Sequence, residues 1–321
     1  MGSDDAYRDE DLERVFNAYK AADPSGERTA RAIRRTLDML YNGQHTGRYS
    51  PDQLFKTEKT HVGSVVEIEL RRDFDDLISD GDKLDYTIAD TEIDCKFSFR
   101  DGGWMLPPEC LGELQLVVTA DDFSATWSAG IVRASPDNVR ISINRDAKTS
   151  LNTAGRAAIK WLVRNGELPE NVLLRMDPRD REAVLEKRSG QQRVNELFRR
   201  VQLIPISRNT IATLGQQDDF MKRVRANGGA RTTLQPEGFL IIGGDYEAHR
   251  SIALQLGAPN VGPGEFLSVR VVPSEPNRPD SVHLDGRWWR VALPGEPCTT
   301  PAPNLPDTRK RKAKSPRQRP Q

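Results

Sequence analysis

Leu84-Asp85-Tyr86-Thr87-Ile88-Ala89-Asp90-Thr91-Glu92-Ile93-Asp94-Cys95-Lys96-Phe97 decides the reading of this chain. Both arms are rich in β-branched and aromatic residues, so they predict two short strands, 84–89 and 92–99, joined at the polar pair Asp90-Thr91. A two-residue turn there sets Ala89 opposite Glu92 and therefore Asp85 opposite Lys96. Asp94 lies diagonal to Asp85 on the same face, because side chains alternate with period two. Two carboxylates and one ammonium group then converge on one side of a small sheet.

That trio suits metal-assisted hydrolysis of a phosphodiester. Carboxylates are hard ligands for Mg²⁺, which keeps waters and open positions for phosphate oxygens. Such an ion stabilises developing charge and lowers the pKa of a bound water; two of them would sit about 3.5–4 Å apart. A lysine beside them orients the attacking water and offsets negative charge. The order Asp85…Asp94-Cys95-Lys96 follows the pattern of the PD-(D/E)XK nucleases, without the proline. Asp-X-Lys also arises by chance, and a solvated strand face with a cross-strand ion pair fits the same three residues.

The 321 residues are enough for two domains, and 36% hydrophobic with 29% charged residues is a globular composition. No apolar run approaches the ~18 residues of a transmembrane helix. Met1-Gly2-Ser3-Asp4-Asp5 has neither a basic nor an apolar signal region, so a cytoplasmic protein is expected. Cys95, Cys110 and Cys298 lack CxxC spacing, which argues against a disulfide framework or structural zinc. The net charge is zero but unevenly spread. Residues 1–170 carry 22 Lys and Arg against 31 Asp and Glu, whereas residues 171–321 carry 25 against 16. The basic second half points to a polyanionic partner.

Helical spacing recurs over Glu10–Ala21 and Thr29–Tyr41, and Ser50-Pro51 is a helix start for a segment reaching about Phe74. That last helix carries Glu67 and Glu69 toward the hairpin. Two residues apart, they cannot both face inward, and periodicity leaves the choice open. Asp101–Glu109 forms a loop with bulky Trp104 at its centre. Leu114–Ala120 and Ala125–Val132 read as buried strands, Arg140–Asn144 as a further one, and Thr149–Val163 as a helix. The first domain, 1–165, is thus α/β with a mixed sheet and flanking helices. A linker is expected at 166–172.

Beyond it, Arg181–Val201 is helical, Ser207 caps a helix over Arg208–Leu214, Gly215 turns, and Gln216–Asn227 gives a second helix. This is helix-turn-helix spacing. Arg231–Gln235 with Gly238–Ile242 reads as a hairpin wing. Arg208, Asn209, Thr210, Gln216, Gln217, Lys222, Arg223, Arg225 and Arg231 are candidate contacts to DNA bases and phosphates. Val269–Val272, Ser281–Leu284 and Trp288–Leu293 predict a last small sheet in a domain spanning 173–297. Residues 298–321 read as a Pro-rich and basic disordered tail.

Asp94-Cys95-Lys96 together with Asn195-Glu196-Leu197-Phe198-Arg199-Arg200 and Gln216-Gln217-Asp218-Asp219-Phe220-Met221-Lys222-Arg223-Val224-Arg225 closely resembles restriction endonucleases of the NaeI type. Lys56-Thr57-Glu58-Lys59-Thr60-His61, Trp104-Met105-Leu106-Pro107-Pro108-Glu109 and Gly228-Gly229-Ala230-Arg231 extend the resemblance over roughly residues 10–297. It implies a type IIE enzyme, a homodimer that cuts one copy of a palindrome while a second copy acts as effector. It implies a PD-(D/E)XK endonuclease domain followed by a winged-helix α+β domain similar to that of the catabolite activator protein. It implies Mg²⁺ as cofactor and Glu67, Asp85, Asp94 and Lys96 as catalytic residues, the three carboxylates holding metal. The family target is GCCGGC, cut to blunt ends. Leu40-Tyr41-Asn42-Gly43 stands where the family has a ligase-like Leu-Tyr-Asp-Gly, and without a lysine no ligation is expected. The competing readings are a catalytically silent DNA-binding protein and a repair nuclease of relaxed specificity.

Overall fold

The computed structural model describes residues 9–141 and 147–306. The chain divides into two units, residues up to 41 with 49–174, and residues 42–48 with 175 onward.

In the first unit, α1 (Glu10–Ala22) starts at Asp9, whose carboxylate accepts from the Leu12 amide at 3.1 Å. α2 (Glu27–Tyr41) follows; a four-residue α3 (Gly43–Thr46) belongs to the second unit. The helix expected from Ser50 onward is interrupted. Ser50 and Gln53 form a capping box, but over one 3₁₀ turn, Pro51–Gln53, and Leu54 is extended. Leu54 leaves the helix to bury its side chain, and α4 (Lys56–Asp73) starts afresh with Glu58 accepting from the Phe55 amide at 2.8 Å.

Six strands follow as one sheet in sequence order: β1 (Ile78–Asp80), β2 (Tyr86–Ile88), β3 (Thr91–Ser98), β4 (Leu114–Asp121), β5 (Thr126–Arg133) and, after the short α5 (Thr153–Ala157), β6 (Lys160–Glu167). β3 and β4 are parallel and all other pairs antiparallel, so the expected mixed sheet is present. One face, with Ile93, Leu116 and Val118, buries Val15, Ile33, Leu37, Val66 and Leu70 of the helices. The other face carries Val117 and Val132 under the loop residues Trp104, Leu106 and Cys110. Trp104 is fully buried and its indole N–H donates to the Val118 carbonyl at 2.9 Å, so this loop closes the core.

One expectation in this unit is overturned. The helix expected over 149–163 is only five residues long, because Lys160–Glu167 pairs with β5. Strand pairing and the burial of Ile159 and Leu162 outweigh the helical pattern. The stretch expected to link the domains, 166–172, holds the end of β6 and the start of α6 (Val172–Arg175), with Leu168 and Val172 buried. The strand expected over 140–144 falls partly on residues 142–146, outside the described residues.

The second unit continues with α7 (Pro178–Leu185), α8 (Gly190–Arg200), β7 (Ile206–Ser207), α9 (Arg208–Gly215), α10 (Ala230–Leu234), β8 (Phe239–Gly243), α11 (Glu247–Gln255), β9 (Glu265–Ser274), β10 (Ser281–Leu284) and β11 (Arg287–Val291). β9 is central: β7, β8 and β11 all pair with it antiparallel, and β10 pairs with β11. The last three strands lie where the sequence places them. Ser207 caps α9 as expected, accepting from the Thr210 amide.

The second helix of the expected helix-turn-helix is not continuous. Between Gln216, which turns the chain at φ +46°, and Gly229, only Phe220–Arg223 is helical, as one 3₁₀ turn. The next helix is α10. Arg231–Gln235 is therefore mostly helix rather than one arm of a wing, and Gly238–Ile242 pairs with β9 instead. The Pro-rich segment is held against the second unit at Ala302 and Asn304. Ala302 is buried and exchanges hydrogen bonds with Gln235, while Asn304 bonds Asp285. Residues 307–321 lie outside the described residues.

Gly190 lies against Gly215 where α8 meets α9; a Cβ there would stand 3.1 Å from the Gly215 Cα. Gly190→Val is expected to destabilise by about 1–3 kcal/mol by overpacking this crossing, measured by denaturant unfolding.

Candidate active site

The β2–β3 hairpin turns one residue earlier than its sequence spacing predicts. Thr87 pairs with Glu92 and Ile88 with Thr91, leaving Ala89-Asp90 as the turn. Both have positive φ, +49° and +59°, as a type I′ turn requires, and its twist matches that of the strands. Arg14 of α1 secures it, donating to the Ala89 carbonyl at 3.0 Å and the Thr91 hydroxyl at 2.7 Å. Continuing this register by one residue sets Asp85 across from Asp94 rather than Lys96. The slip is two residues along the partner strand, so every side chain keeps its face and the trio survives.

Asp94 and Lys96 lie on the face opposite buried Ile93 and Cys95. The Lys96 ammonium is in ion-pair contact with Asp94 Oδ2 and 3.8 Å from Asp85 Oδ2. Asp85 Oδ2 also accepts from the Cys95 amide at 2.8 Å, which fixes its carboxylate over β3. Glu92 accepts from the Asp82 and Lys83 amides at 2.6 and 2.9 Å, ordering the loop that delivers Asp85.

Glu69 is turned away. It is 6% exposed and held between Arg35 at 3.3 Å and Arg72 at 2.7 Å. Glu67 is half-buried and feels the charges of Asp85, Lys96 and Asp94. Its carbonyl accepts from the Tyr86 hydroxyl at 2.6 Å, which ties α4 to β2. Structure thus separates two glutamates that periodicity could not.

Burial, then the neighbouring Asp85 charge, raises the pKa of Glu67. Burial also raises Asp85; the Cys95 amide pulls it down, and Asp94 pushes it up again. Burial alone would lower Lys96, but its bond to Asp94 and the two aspartate charges outweigh that and raise it, so it stays an ammonium. The raised carboxylates bind protons more tightly folded than unfolded, so their ionisation opposes folding as pH rises through the raised values. Asp85→Asn should therefore raise the melting temperature of the metal-free protein at neutral pH. The gain should shrink as pH falls into the ordinary carboxylate range, which thermal unfolding at two pH values checks.

The donor set is all hard oxygen, which fits a divalent hard cation. Among the described residues no three acidic, His or Cys side chains close into a chelating cluster. Mg²⁺ does not require one, since one or two carboxylates with waters and substrate phosphates complete its shell. Asp85 and Asp94 are the two carboxylates placed to be that pair, with Glu67 beside them.

Cys110, from the loop covering this face, is not singled out by any sequence signal. Its thiol donates to Asp94 Oδ2 at 3.1 Å, and burial followed by that bond pushes its pKa up to about 12, so it stays protonated. Cys110→Ala is expected to weaken divalent-cation binding severalfold by freeing Asp94, and Cys110→Ser to restore most of it, by titration calorimetry.

The candidate DNA contacts are scattered within the second unit. Arg208 pairs with Asp245, and Thr210 is turned inward, buried with its hydroxyl on Ser207. Asn209 is half-buried beside it. Exposed Gln216 accepts from Arg193 at 3.0 Å. Gln217 and Arg223 bond each other, and Asp219 holds Arg225 at 3.2 Å with Lys222 at 3.8 Å. Arg231 instead lines a cavity.

The sequence matches the family described as Restriction endonuclease NaeI over residues 13–300. It is 46% identical over 306 residues to the Type II restriction enzyme NaeI of Lentzea aerocolonigenes, covering 93% of this chain and 95% of that protein. A match of this length takes in both units and bears out the resemblance carried by the sequence motifs. The chain belongs to the NaeI family of restriction endonucleases and is a type II site-specific deoxyribonuclease.

Proposed function

We propose that this enzyme is a Mg²⁺-dependent, type IIE endonuclease in which the β2–β3 hairpin cuts DNA and the second unit binds an activating DNA copy. The observation that carries it is the convergence of Asp85, Asp94 and Lys96 on one sheet face. Asp85 and Asp94, assisted by Glu67, would hold the metal. Bound there, Mg²⁺ supplies charge neutralisation at the phosphate and a more acidic water. Lys96, kept protonated by the aspartates, donates to the attacking water or a non-bridging phosphate oxygen. Cys110 and the Cys95 amide keep the carboxylates aimed. A homodimer would present two such hairpins to the two strands of a palindrome, GCCGGC by analogy with the family, cut bluntly.

Support for the second role comes from topology. α8, β7, α9, α10, β8 and β9 follow the helix–strand–helix–helix–strand–strand order of a winged helix, with β9 between β7 and β8. α11 is inserted where a short wing turn would stand. The domain limits 1–165 and 173–297 are kept as functional assignments.

The test is a plasmid with one GCCGGC site. Adding a short duplex of the same sequence should accelerate cutting, and Lys222→Ala with Arg225→Ala should remove the acceleration and flatten the salt dependence of duplex binding. Equal rates with and without the duplex would refute the effector role.

A further inference from the structure

The second unit contains a cavity of about 520 Å³ between the chain leading into α10, strand β8, the start of α11 and Pro303–Pro306. That is within the usual size range of small-molecule sites. Two buried donors on its wall lack partners. Arg231 donates through Nε to the Ile241 carbonyl at 2.9 Å, but its buried Nη2 makes no hydrogen bond. Among the described residues no carboxylate pairs with it, and burial lowers its pKa. His249 is 2% exposed and accepts from the Gly243 amide through Nδ1 at 3.2 Å, which puts its proton on Nε2. Nε2 has no partner either; the Pro306 carbonyl is near but outside hydrogen-bonding geometry. Burial, then the Arg231 charge, pushes His249 down to about 4, so it is a neutral N–H donor at physiological pH.

Two unsatisfied buried donors, one charged, are costly to leave in the wall of a cavity. Asn227 and Arg225 also line the cavity, and among the described residues no acidic side chain does. The site therefore calls for an anion. A bare phosphate would leave most of this volume unfilled, and the rest of the wall mixes the polar side chains of Thr232, Gln235 and Asn304 with the rings of Phe239 and Tyr246. The Tyr246 ring stands edge-on to His249, centroids 5.0 Å apart, which carries an aromatic surface up to the donor pair.

We propose that this cavity binds a nucleoside monophosphate, its phosphate on Arg231 and His249 and its base against Phe239 and Tyr246. Aromatic surfaces accept any base by stacking, while a guanidinium fork matches phosphate oxygens. The site needs nothing from the hydrolytic hairpin, and the phosphate could belong to a free nucleotide or to the end of a DNA strand.

The test is calorimetry on the full chain without divalent metal, titrated with adenosine 5′-monophosphate, inorganic phosphate and adenosine. The monophosphate should bind more tightly than either part. Arg231→Met and His249→Phe should each weaken it by about tenfold or more, the scale of a hydrogen bond to a charged group. Their melting temperatures without ligand establish that they fold, and Arg231→Lys, which keeps the charge, should retain part of the affinity. A 5′-phosphorylated duplex that displaces the monophosphate would identify DNA ends as the source. One that binds alongside it would identify free nucleotide. No binding of the monophosphate at millimolar concentration would overturn the proposal, as would unchanged affinity in a folded Arg231→Met protein.

Discussion

Asp94→Asn is expected to bind DNA nearly as well as the unaltered enzyme and to cut it about 10³-fold more slowly or worse. The magnitude is that of losing a metal-binding charge together with the group that holds Lys96 in place. Asp94 accepts from both Lys96 and the Cys110 thiol, so one substitution loosens three contributors at once. Lys96→Met should have an effect of the same order without removing a carboxylate. The two losses should not add in the double variant, because the residues act as a unit. Single-turnover cleavage with saturating Mg²⁺, beside gel-shift binding in Ca²⁺, separates chemistry from affinity. Full activity in either variant would remove the hairpin from the mechanism.

Arg34→Met should destabilise the protein by about 3–5 kcal/mol, the usual result of leaving one member of a buried ion pair alone. Asp122 is 1% exposed and accepts from Arg34 Nη1 at 2.5 Å, Arg34 Nη2 at 3.2 Å and the Tyr41 hydroxyl at 2.7 Å. Asp38 holds the other side of the guanidinium at 2.9 Å. Without Arg34 the Asp122 carboxylate keeps its burial and loses its compensating charge. Arg34→Met combined with Asp122→Leu should recover most of the loss, which denaturant unfolding of the three variants measures. A loss below about 1 kcal/mol would mean that the pair is solvated.

What could be read in advance follows from the range of the forces involved. The hairpin was legible because strand periodicity and turn chemistry are local, and its face assignment survived a misplaced turn because a two-residue slip preserves parity. Its register was not legible, since nothing local announces that Ala89 takes a left-handed conformation that alanine disfavours. Glu67 and Glu69 were indistinguishable on a helical wheel; only the Arg35 and Arg72 partners of Glu69 separate them. Cys110 meets Asp94 through a loop that folds back over the sheet, a contact that no spacing encodes. The helix expected over Gln216–Asn227 is reduced to the single 3₁₀ turn Phe220–Arg223, and Gly228, at φ +79°, closes the segment. The helix expected over Thr149–Val163 fails because β5 offers an edge for Lys160–Glu167 to pair with.

The most direct measurement is sequencing of the DNA ends made by purified protein on a plasmid library in Mg²⁺, in parallel with the Lys96→Met variant. The account predicts blunt ends at one palindromic sequence with wild type, none after chelation of the metal, and none with the variant. Ends of the same kind produced by Lys96→Met would contradict it, because the cut would then be made by some other part of the molecule.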